Sequence, residues 1–286
     1  MAFASPSSKR FVVALFALSS FSLVTITALL GYLPGPQALE GTVLPYAFTL
    51  IARDCGAAIL CAILGYVFVK VNTHAAEKEW MKPSDSRKLI HTFSAPLYML
   101  LWPVFSTAEG AKYFAAVVPL VNTVRLYLAS TGNGEASLAR AVSRSGNAKE
   151  ALGGPFIYTL IMTVCIVAFW RDSPTGIVTL STLAAGDGLA DLLGRRFGTG
   201  NQWPGLEKSV AGTFAFWAGS TLTSLGLLSW MVYWDCLALS ASVKGALFGI
   251  VAGISLVAAI LELLPFGDDN YTVSIAALVL SIIYLQ

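Results

Sequence analysis

Two aspartates and two arginines follow one another at helical spacing in the second half of the chain. Asp187, Asp191 and Arg195 are each four residues apart, so a helix would place them on one face, with Arg196 beside them. Mg²⁺ is usually held by one or two carboxylates together with the phosphates of a substrate. The neighbouring guanidinium groups suit phosphate oxygens. The segment therefore predicts a phosphoryl-transfer site that uses Mg²⁺.

Glycines flank the first of these aspartates. Gly186 and Gly188 have no Cβ, and this leaves the backbone open to close approach by another group. The run 176–185, directly before them, contains no charged residue. Charged side chains at the end of such an apolar run need a functional reason.

A second group of candidate phosphate ligands lies where a later helix is expected to begin. Lys208 and Ser209 precede Gly212, and the N–H groups of a helix N-terminus add to the charge of a lysine in binding phosphate. No GxxxxGK sequence precedes Ser209, so the segment is not a Walker A loop. Alone, this short pattern is only weakly specific.

Other charged residues allow two interpretations. On the residues alone, Arg87, Lys88 and His91 form either an anchor at the membrane interface or a substrate contact. Arg140 and Arg144 are four apart, which suits either a solvated helix face or a ligand contact. Arg125 and Asn122, three residues apart inside an apolar window, are further candidates. The last candidates lie in the polar turn between the final two windows: Glu262, Asp268, Asp269 and Asn270.

The chain as a whole is too apolar for an ordinary soluble domain. Of its 286 residues 56% are hydrophobic and 12% charged, and the mean hydropathy is +0.71. Because backbone groups in lipid must be hydrogen-bonded within their own segment, the apolar windows should be helices. The predicted fold is all-α, a polytopic transmembrane helical bundle of about 8 to 9 spans. Nine windows are apolar and long enough: 11–33, 42–69, 89–106, 111–129, 155–170, 174–194, 210–234, 243–264 and 270–285.

Positive residues are distributed unequally between the two sides of the predicted bundle. With nine alternating spans, the side of the N-terminus, called side A, receives thirteen of the 18 Lys and Arg residues, and side B receives three. Arg53 and Arg125 fall inside windows. Such a bias marks side A as the cytosolic or stromal side. The net charge of +2 says nothing about nucleic acid, and no nucleic-acid partner is expected.

The motifs taken together resemble a known family. They occupy 87–91, 101–106, 113–125, 143–146, 154–158, 186–198, 208–212 and 268–270. In this order they are similar to the motifs of the plastid phytol kinases and farnesol kinases, and more distantly to dolichol kinase and the CTP-dependent diacylglycerol kinase. The resemblance divides the chain into 1–70, transmembrane segments without an assigned role, and 71–286, a polyprenol kinase-like transmembrane catalytic domain.

The resemblance implies a membrane-embedded lipid kinase. Such an enzyme transfers the γ-phosphoryl group of CTP, or of UTP, to a long-chain isoprenoid alcohol, most closely phytol. The product is phytyl monophosphate, which returns phytol from chlorophyll toward tocopherol. The resemblance also implies a chloroplast envelope or thylakoid membrane, or a cyanobacterial membrane, with the active site facing the stroma or the cytoplasm.

The resemblance also assigns roles to individual residues. It makes Asp187, Asp191 and Lys208 catalytic, and it assigns Mg²⁺ to Asp187, Asp191 and Asp269. The expected nucleotide and phosphate contacts are Arg87, Lys88, Arg140, Arg144, Arg195, Arg196, Lys208 and Ser209. The expected substrate or supporting contacts are His91, Asn122, Arg125, Glu262 and Asn270.

Three alternatives remain open at the level of sequence. The alcohol can be farnesol or geranylgeraniol instead of phytol. A cytidylyltransferase that forms CDP-lipids would use a similar pair of carboxylates but would release pyrophosphate. A transporter would account for Arg53, Asp54 and Arg125 without catalysis, although the motifs gather on one face and not at the midplane of the membrane.

Overall fold

A computed structural model describes residues 46–131, 148–264 and 269–286, together with Leu138. In these ranges the regular structure is helical, apart from one isolated β-bridge between Gln202 and Ser209. The all-α prediction is therefore confirmed for the described residues. Their α-helices are α1 Tyr46–Glu77, α2 Pro83–Leu100, α3 Ala111–Ser130, α4 Gly154–Phe169, α5 Pro174–Ser181, α6 Asp187–Phe197, α7 Val210–Tyr233, α8 Ala241–Glu262 and α9 Asp269–Leu285.

Several helices have the length and composition of membrane spans. Five such segments occur in the described residues: Thr49–Glu77, Ala111–Ser130, Lys149–Phe169, Pro174–Phe197 and Ala241–Glu262. A shorter apolar helix covers Asn270–Leu285. A helical membrane protein is therefore confirmed, whereas the total of eight to nine spans stays a prediction. The first predicted window, 11–33, lies outside the described residues.

The centre of the bundle is the uncharged run that precedes Asp187. Every residue of 174–186 is buried, and α5 packs against α2, α4, α7 and α9. Ser173 caps α5 by accepting a hydrogen bond from the Thr175 N–H, and Pro174 occupies the first turn. The run lacks charge because helices surround it, and the charged residues begin where this burial ends.

The predicted span 174–194 is not one continuous α-helix. Thr182–Gly186 forms a π-helical turn between α5 and α6. A π-turn inserts an extra residue into the helix and is found frequently at functional sites. An apolar run with no polar alternation contains no sequence signal for such an insertion, so the interruption was not predicted.

Glycines of α6 allow neighbouring helices to cross it closely. A Cβ on Gly188 would lie 2.6 Å from Thr92 Cβ of α2, and a Cβ on Gly194 would lie 3.3 Å from Gly212 Cα of α7. Small residues at such positions let helix backbones approach within a membrane bundle. The close approach predicted at Gly188 is therefore made by a helix of the same chain.

The side B end of the bundle holds a buried polar network around the turn 102–106. Asp54 accepts hydrogen bonds from Ser106 N at 2.6 Å and from Ser106 Oγ at 2.8 Å. The buried Arg171 donates to three carbonyls of the turn at 2.6 to 3.0 Å. Arg53 Nε donates to another of its carbonyls at 2.8 Å. Arg53 and Asp54, on which the transporter alternative relied, therefore have structural partners.

Hydrogen bonds join helix ends that the prediction places on the same side of the bundle. Gln286 Nε2 donates to Ser173 Oγ at 3.3 Å on side B. On side A, Ser86 Oγ donates to the Asn72 carbonyl at 2.8 Å, which joins the end of α1 to the start of α2. The start of α2, the end of α6 and the start of α7 lie at this same end. The polar motifs consequently gather at side A.

Candidate active site

Asp187, the first residue of α6, is bound by two side chains of α2. Lys88 Nζ donates a hydrogen bond to Asp187 Oδ2 at 2.7 Å, and His91 Nε2 lies 2.9 Å from the same oxygen. His91 Nε2 also lies 3.3 Å from the Leu183 carbonyl in the π-turn. Lys88 and His91 are three residues apart, so they share one face of α2. The basic residues predicted at the start of α2 thus contact the predicted metal ligand.

A second set of ion pairs lies further along α6, where the side chains are more exposed. Arg195 Nη2 lies 2.8 Å from Asp191 Oδ2, and Arg195 Nη1 lies 3.1 Å from Asp85 Oδ1. Arg196 Nη2 lies 3.8 Å from Asp85 Oδ2. Both sets together are called the aspartate–cation cluster, which consists of Asp85, Lys88, His91, Asp187, Asp191, Arg195 and Arg196.

Exposure increases along α6 from Asp187 to Arg196, whereas Asp85 of α2 is 22% exposed. The side chain of Asp187 is 21% exposed, Asp191 is 40% and Arg195 is 41% exposed, and Arg196 is 55% exposed. Along this face of α6, the side chains therefore change from a mostly buried carboxylate to solvent-exposed guanidinium groups.

Two residues of this region were missed by sequence reasoning. Asp85 lies in the first turn of α2, where a carboxylate is favoured by the helix dipole, and that position is the signal that could have identified it. The buried Tyr158 of α4 has its ring centroid 4.6 Å from that of His91. Its position in the motif 154–158 was noted, but nothing local indicated that it contacts α2.

Lys208 and Ser209 have partners that connect helices. Lys208 Nζ lies 3.0 Å from Glu262 Oε1 and also donates to the Glu262 carbonyl, which joins the start of α7 to the end of α8. Ser209 Oγ caps α7 by accepting from Gly212 N at 3.1 Å. The predicted helix start at Ser209 is confirmed. Phosphate binding by Lys208 and Ser209 stays a prediction.

The other predicted site residues are placed as follows. Arg125 Nη1 donates to Asn122 Oδ1 at 3.5 Å on α3, a helix that packs mainly against α4 and α1. Arg87 is half-buried beside Lys88. Asn270 lies against the start of α4, where a Cβ on Gly154 would be 2.9 Å from its Nδ2. Three residues fall where the structure describes no side chain: Arg140, Arg144 and Asp269.

Plant proteins resemble the chain along most of its length. It is 34% identical over 255 residues to "Probable phytol kinase, chloroplastic" of Triticum aestivum, with 85% of this chain and 82% of that protein covered. It is 36% identical over 234 residues to "Phytol kinase 1, chloroplastic" of Arabidopsis thaliana, with 80% and 75% covered. The chain belongs to the phytol kinase family. No family model and no solved structure matches it.

The cluster of this phytol kinase family member has donor chemistry that suits Mg²⁺ bound together with a nucleotide. Among the described residues, no group of three or more His, Cys, Asp or Glu side chains could hold a metal ion. Mg²⁺ does not need such a group, because one or two carboxylates and the substrate phosphates are its usual ligands. Asp187 and Asp191, one helical turn apart, fit that requirement.

Proposed function

We propose that the chain transfers the γ-phosphoryl group of CTP to the hydroxyl of phytol at the aspartate–cation cluster, with UTP as the alternative donor. Membership of the phytol kinase family makes the chain a kinase that acts on an alcohol. One observation carries the placement of the site: Asp187 meets Lys88 and His91 where the apolar centre of the bundle ends.

The exposure gradient of the cluster supports an orientation for the two substrates. Phytol dissolves in the bilayer, so its hydroxyl reaches the cluster at Asp187, the least exposed carboxylate of α6. The nucleotide arrives from water and meets Arg195 and Arg196 first. The phosphoryl group is then transferred between the two ends, and the phytyl monophosphate keeps its charged group toward side A.

The charges of the cluster support a divalent ion as part of the bound nucleotide. Its three permanent cations, Lys88, Arg195 and Arg196, are matched by three carboxylates. A triphosphate therefore adds negative charge that the cluster does not offset by itself. Mg²⁺, held by Asp187 and Asp191, would neutralise charge on the phosphates.

The side chains of the cluster position and stabilise the transferring group. Phosphoryl transfer depends mainly on positioning and on charge stabilisation. When the nucleotide binds, Lys88 and Arg195 exchange their carboxylate partners for phosphate oxygens. His91 remains against the Leu183 carbonyl and keeps its position beside Asp187.

The names of the relatives and the apolar helices support a membrane location. The relatives are chloroplastic by name, and the apolar helices make the chain a membrane protein. We place it in the chloroplast envelope or thylakoid membrane, with eight to nine spans and side A facing the stroma. The excess of Lys and Arg on side A supports this orientation.

The test is an assay of the purified full chain in detergent or nanodiscs. CTP labelled at the γ-phosphate is offered with phytol, farnesol, geranylgeraniol or diacylglycerol, and UTP and ATP are compared as donors over a Mg²⁺ titration. We expect labelled phytyl monophosphate. Transfer of label from α-phosphate-labelled CTP into lipid, with release of pyrophosphate, would instead indicate a cytidylyltransferase. Absence of any labelled alcohol would contradict the proposal.

Lys208→Ala tests the nucleotide end of the site. We expect the KM for CTP to rise about tenfold or more, the effect of losing one hydrogen bond to a charged group, with the KM for phytol nearly unchanged. Because the change leaves Glu262 without its ion-pair partner, Lys208→Ala with Glu262→Gln is measured alongside it. Lys244→Ala, an exposed lysine on side B, is the control. Loss of phytol binding with normal CTP kinetics would contradict the role.

A further inference from the structure

Helix α2 has an irregular turn directly after His91. Pro96 lies inside the helix, where it lacks an N–H and its ring crowds the carbonyl four residues earlier. The N–H of Ala95 donates to the hydroxyl of Tyr158 at 2.9 Å. That hydroxyl donates in turn to the His91 carbonyl at 3.0 Å. His91 is four residues before Ala95, so its carbonyl is the group that Ala95 would bond in a regular α-helix.

The Tyr158 hydroxyl is thus inserted between the two partners of a helical hydrogen bond. Insertion of a side chain between two such groups disturbs the hydrogen-bond ladder of a helix. The inserted group comes from α4, so this turn of α2 is held by a second helix. His91 and Lys88 lie immediately before this turn and face Asp187.

Tyr158 also contacts the imidazole of His91 directly. The two ring centroids are 4.6 Å apart, with an interplanar angle of 49°. One side chain therefore fixes both the backbone carbonyl and the ring of His91. The other polar contacts of that ring are Asp187 and the Leu183 carbonyl. A change in the position of Tyr158 must consequently move the partner of Asp187.

We propose that Tyr158 is a positioning residue for phosphoryl transfer: its hydroxyl holds the turn of α2 that presents His91 and Lys88 to Asp187. The catalytic part of this inference rests on the proposed function, whereas the structural part does not. Tyr158 acts through His91.

Tyr158→Phe removes only the inserted hydroxyl. The Ala95 N–H can then bond the His91 carbonyl directly, as in a regular helix, so the variant is expected to fold while the turn after His91 rearranges. We expect kcat to fall about tenfold to a hundredfold, because a displacement near 1 Å at a reacting group has effects of this size. The KM values for CTP and phytol should stay within about threefold, because the groups proposed to bind them remain.

Tyr98→Phe is the matched control. Tyr98 and Tyr158 are both 6% exposed, and Tyr98 also lies at the α2 interface. Its hydroxyl donates to the Ala115 carbonyl at 2.6 Å and so joins α2 to α3. If Tyr158 were merely a packing residue, the two variants would lose activity to a similar extent per folded molecule.

A second measurement does not depend on activity. The chain contains two histidines, and His74, whose side chain is 54% exposed on α1, serves as an internal reference for His91. In protein labelled with ¹⁵N-histidine, Tyr158→Phe should shift the imidazole signals of His91 and leave those of His74 unchanged. Tyr98→Phe should shift neither.

The outcomes separate the inference from the proposed function. Shifted His91 signals together with a selective fall in kcat support it. Unchanged His91 signals in Tyr158→Phe overturn it, whatever the kinetics, and an unchanged kcat overturns the catalytic part. If the wild type phosphorylates no alcohol, the proposed function fails, while the His91 signals still decide whether Tyr158 positions His91.

Discussion

Asp187→Asn should lower kcat for phytol phosphorylation by at least about a thousandfold. The change removes a charged oxygen ligand at the dry end of the site and weakens its contacts with Lys88 and His91. The loss of one preorganised polar group at a reacting centre costs about a hundredfold to a thousandfold, and the loss of a Mg²⁺ ligand adds to this. Turnover per folded molecule over a Mg²⁺ titration is the measurement.

The structure also predicts a cost in stability for this variant. Lys88 is left half-buried without its carboxylate, and an unpaired group in such a position costs about 1 to 3 kcal/mol. Lys88→Met combined with Asp187→Asn removes the unpaired charge, so its thermal stability should recover while its activity stays low. If the pair only holds the helices together, the double variant should regain turnover per folded molecule.

Asp191→Asn provides a comparison on the same helix face. Its side chain is 40% exposed, and its partner Arg195 keeps Asp85 as a second ion-pair partner. We therefore expect a large loss of activity with little loss of stability. Near-normal turnover in either aspartate variant at ordinary Mg²⁺ concentrations would remove that residue from the active site.

Gly188→Ala should damage the site without changing any charged group. The new Cβ would lie 2.6 Å from Thr92 Cβ and 2.9 Å from Thr92 Cα, and would overlap the Thr92 hydroxyl. Because one of these atoms belongs to the backbone, α2 and α6 must move apart. Their separation withdraws Lys88 and His91 from Asp187. We expect kcat to fall about a hundredfold and stability to fall by about 1 to 3 kcal/mol.

Gly253→Ala is the control for this substitution. Gly253 lies in α8, and a Cβ there would meet no atom within 4 Å. It should therefore leave activity and thermal stability close to those of the wild type. Wild-type activity in Gly188→Ala, measured per folded molecule, would show that the close crossing of α2 and α6 is not needed for the reaction.

The family and the helical class could be predicted from the sequence. The helical class depends on apolar windows, and the family on the order of motifs along the chain. Long apolar windows require helices in lipid, and five membrane-length helices in the described residues confirm this. The ordered motifs indicated the phytol kinase family, which the plant relatives confirm. Helix starts were also local: Ser209 caps α7 and Pro155 occupies the first turn of α4.

Residues on one helix could be related to each other by their spacing. Asp191 and Arg195 are four residues apart, and the structure joins them at 2.8 Å. Spacing on one helix does not show which other helix faces it. The pairing of Lys208 with Glu262 could therefore not be predicted, and its assignment to the phosphates stays a prediction. That pair depends on the packing of α7 against α8.

The tertiary structure alone decided how the site is assembled. Lys88 reaches Asp187 across 99 residues of chain, because Gly188 lets α2 and α6 cross closely. The Tyr158 hydroxyl inside α2 is equally non-local, since it comes from α4. The sequence by itself determined which residues could do chemistry. The packing of helix faces determined which of them meet.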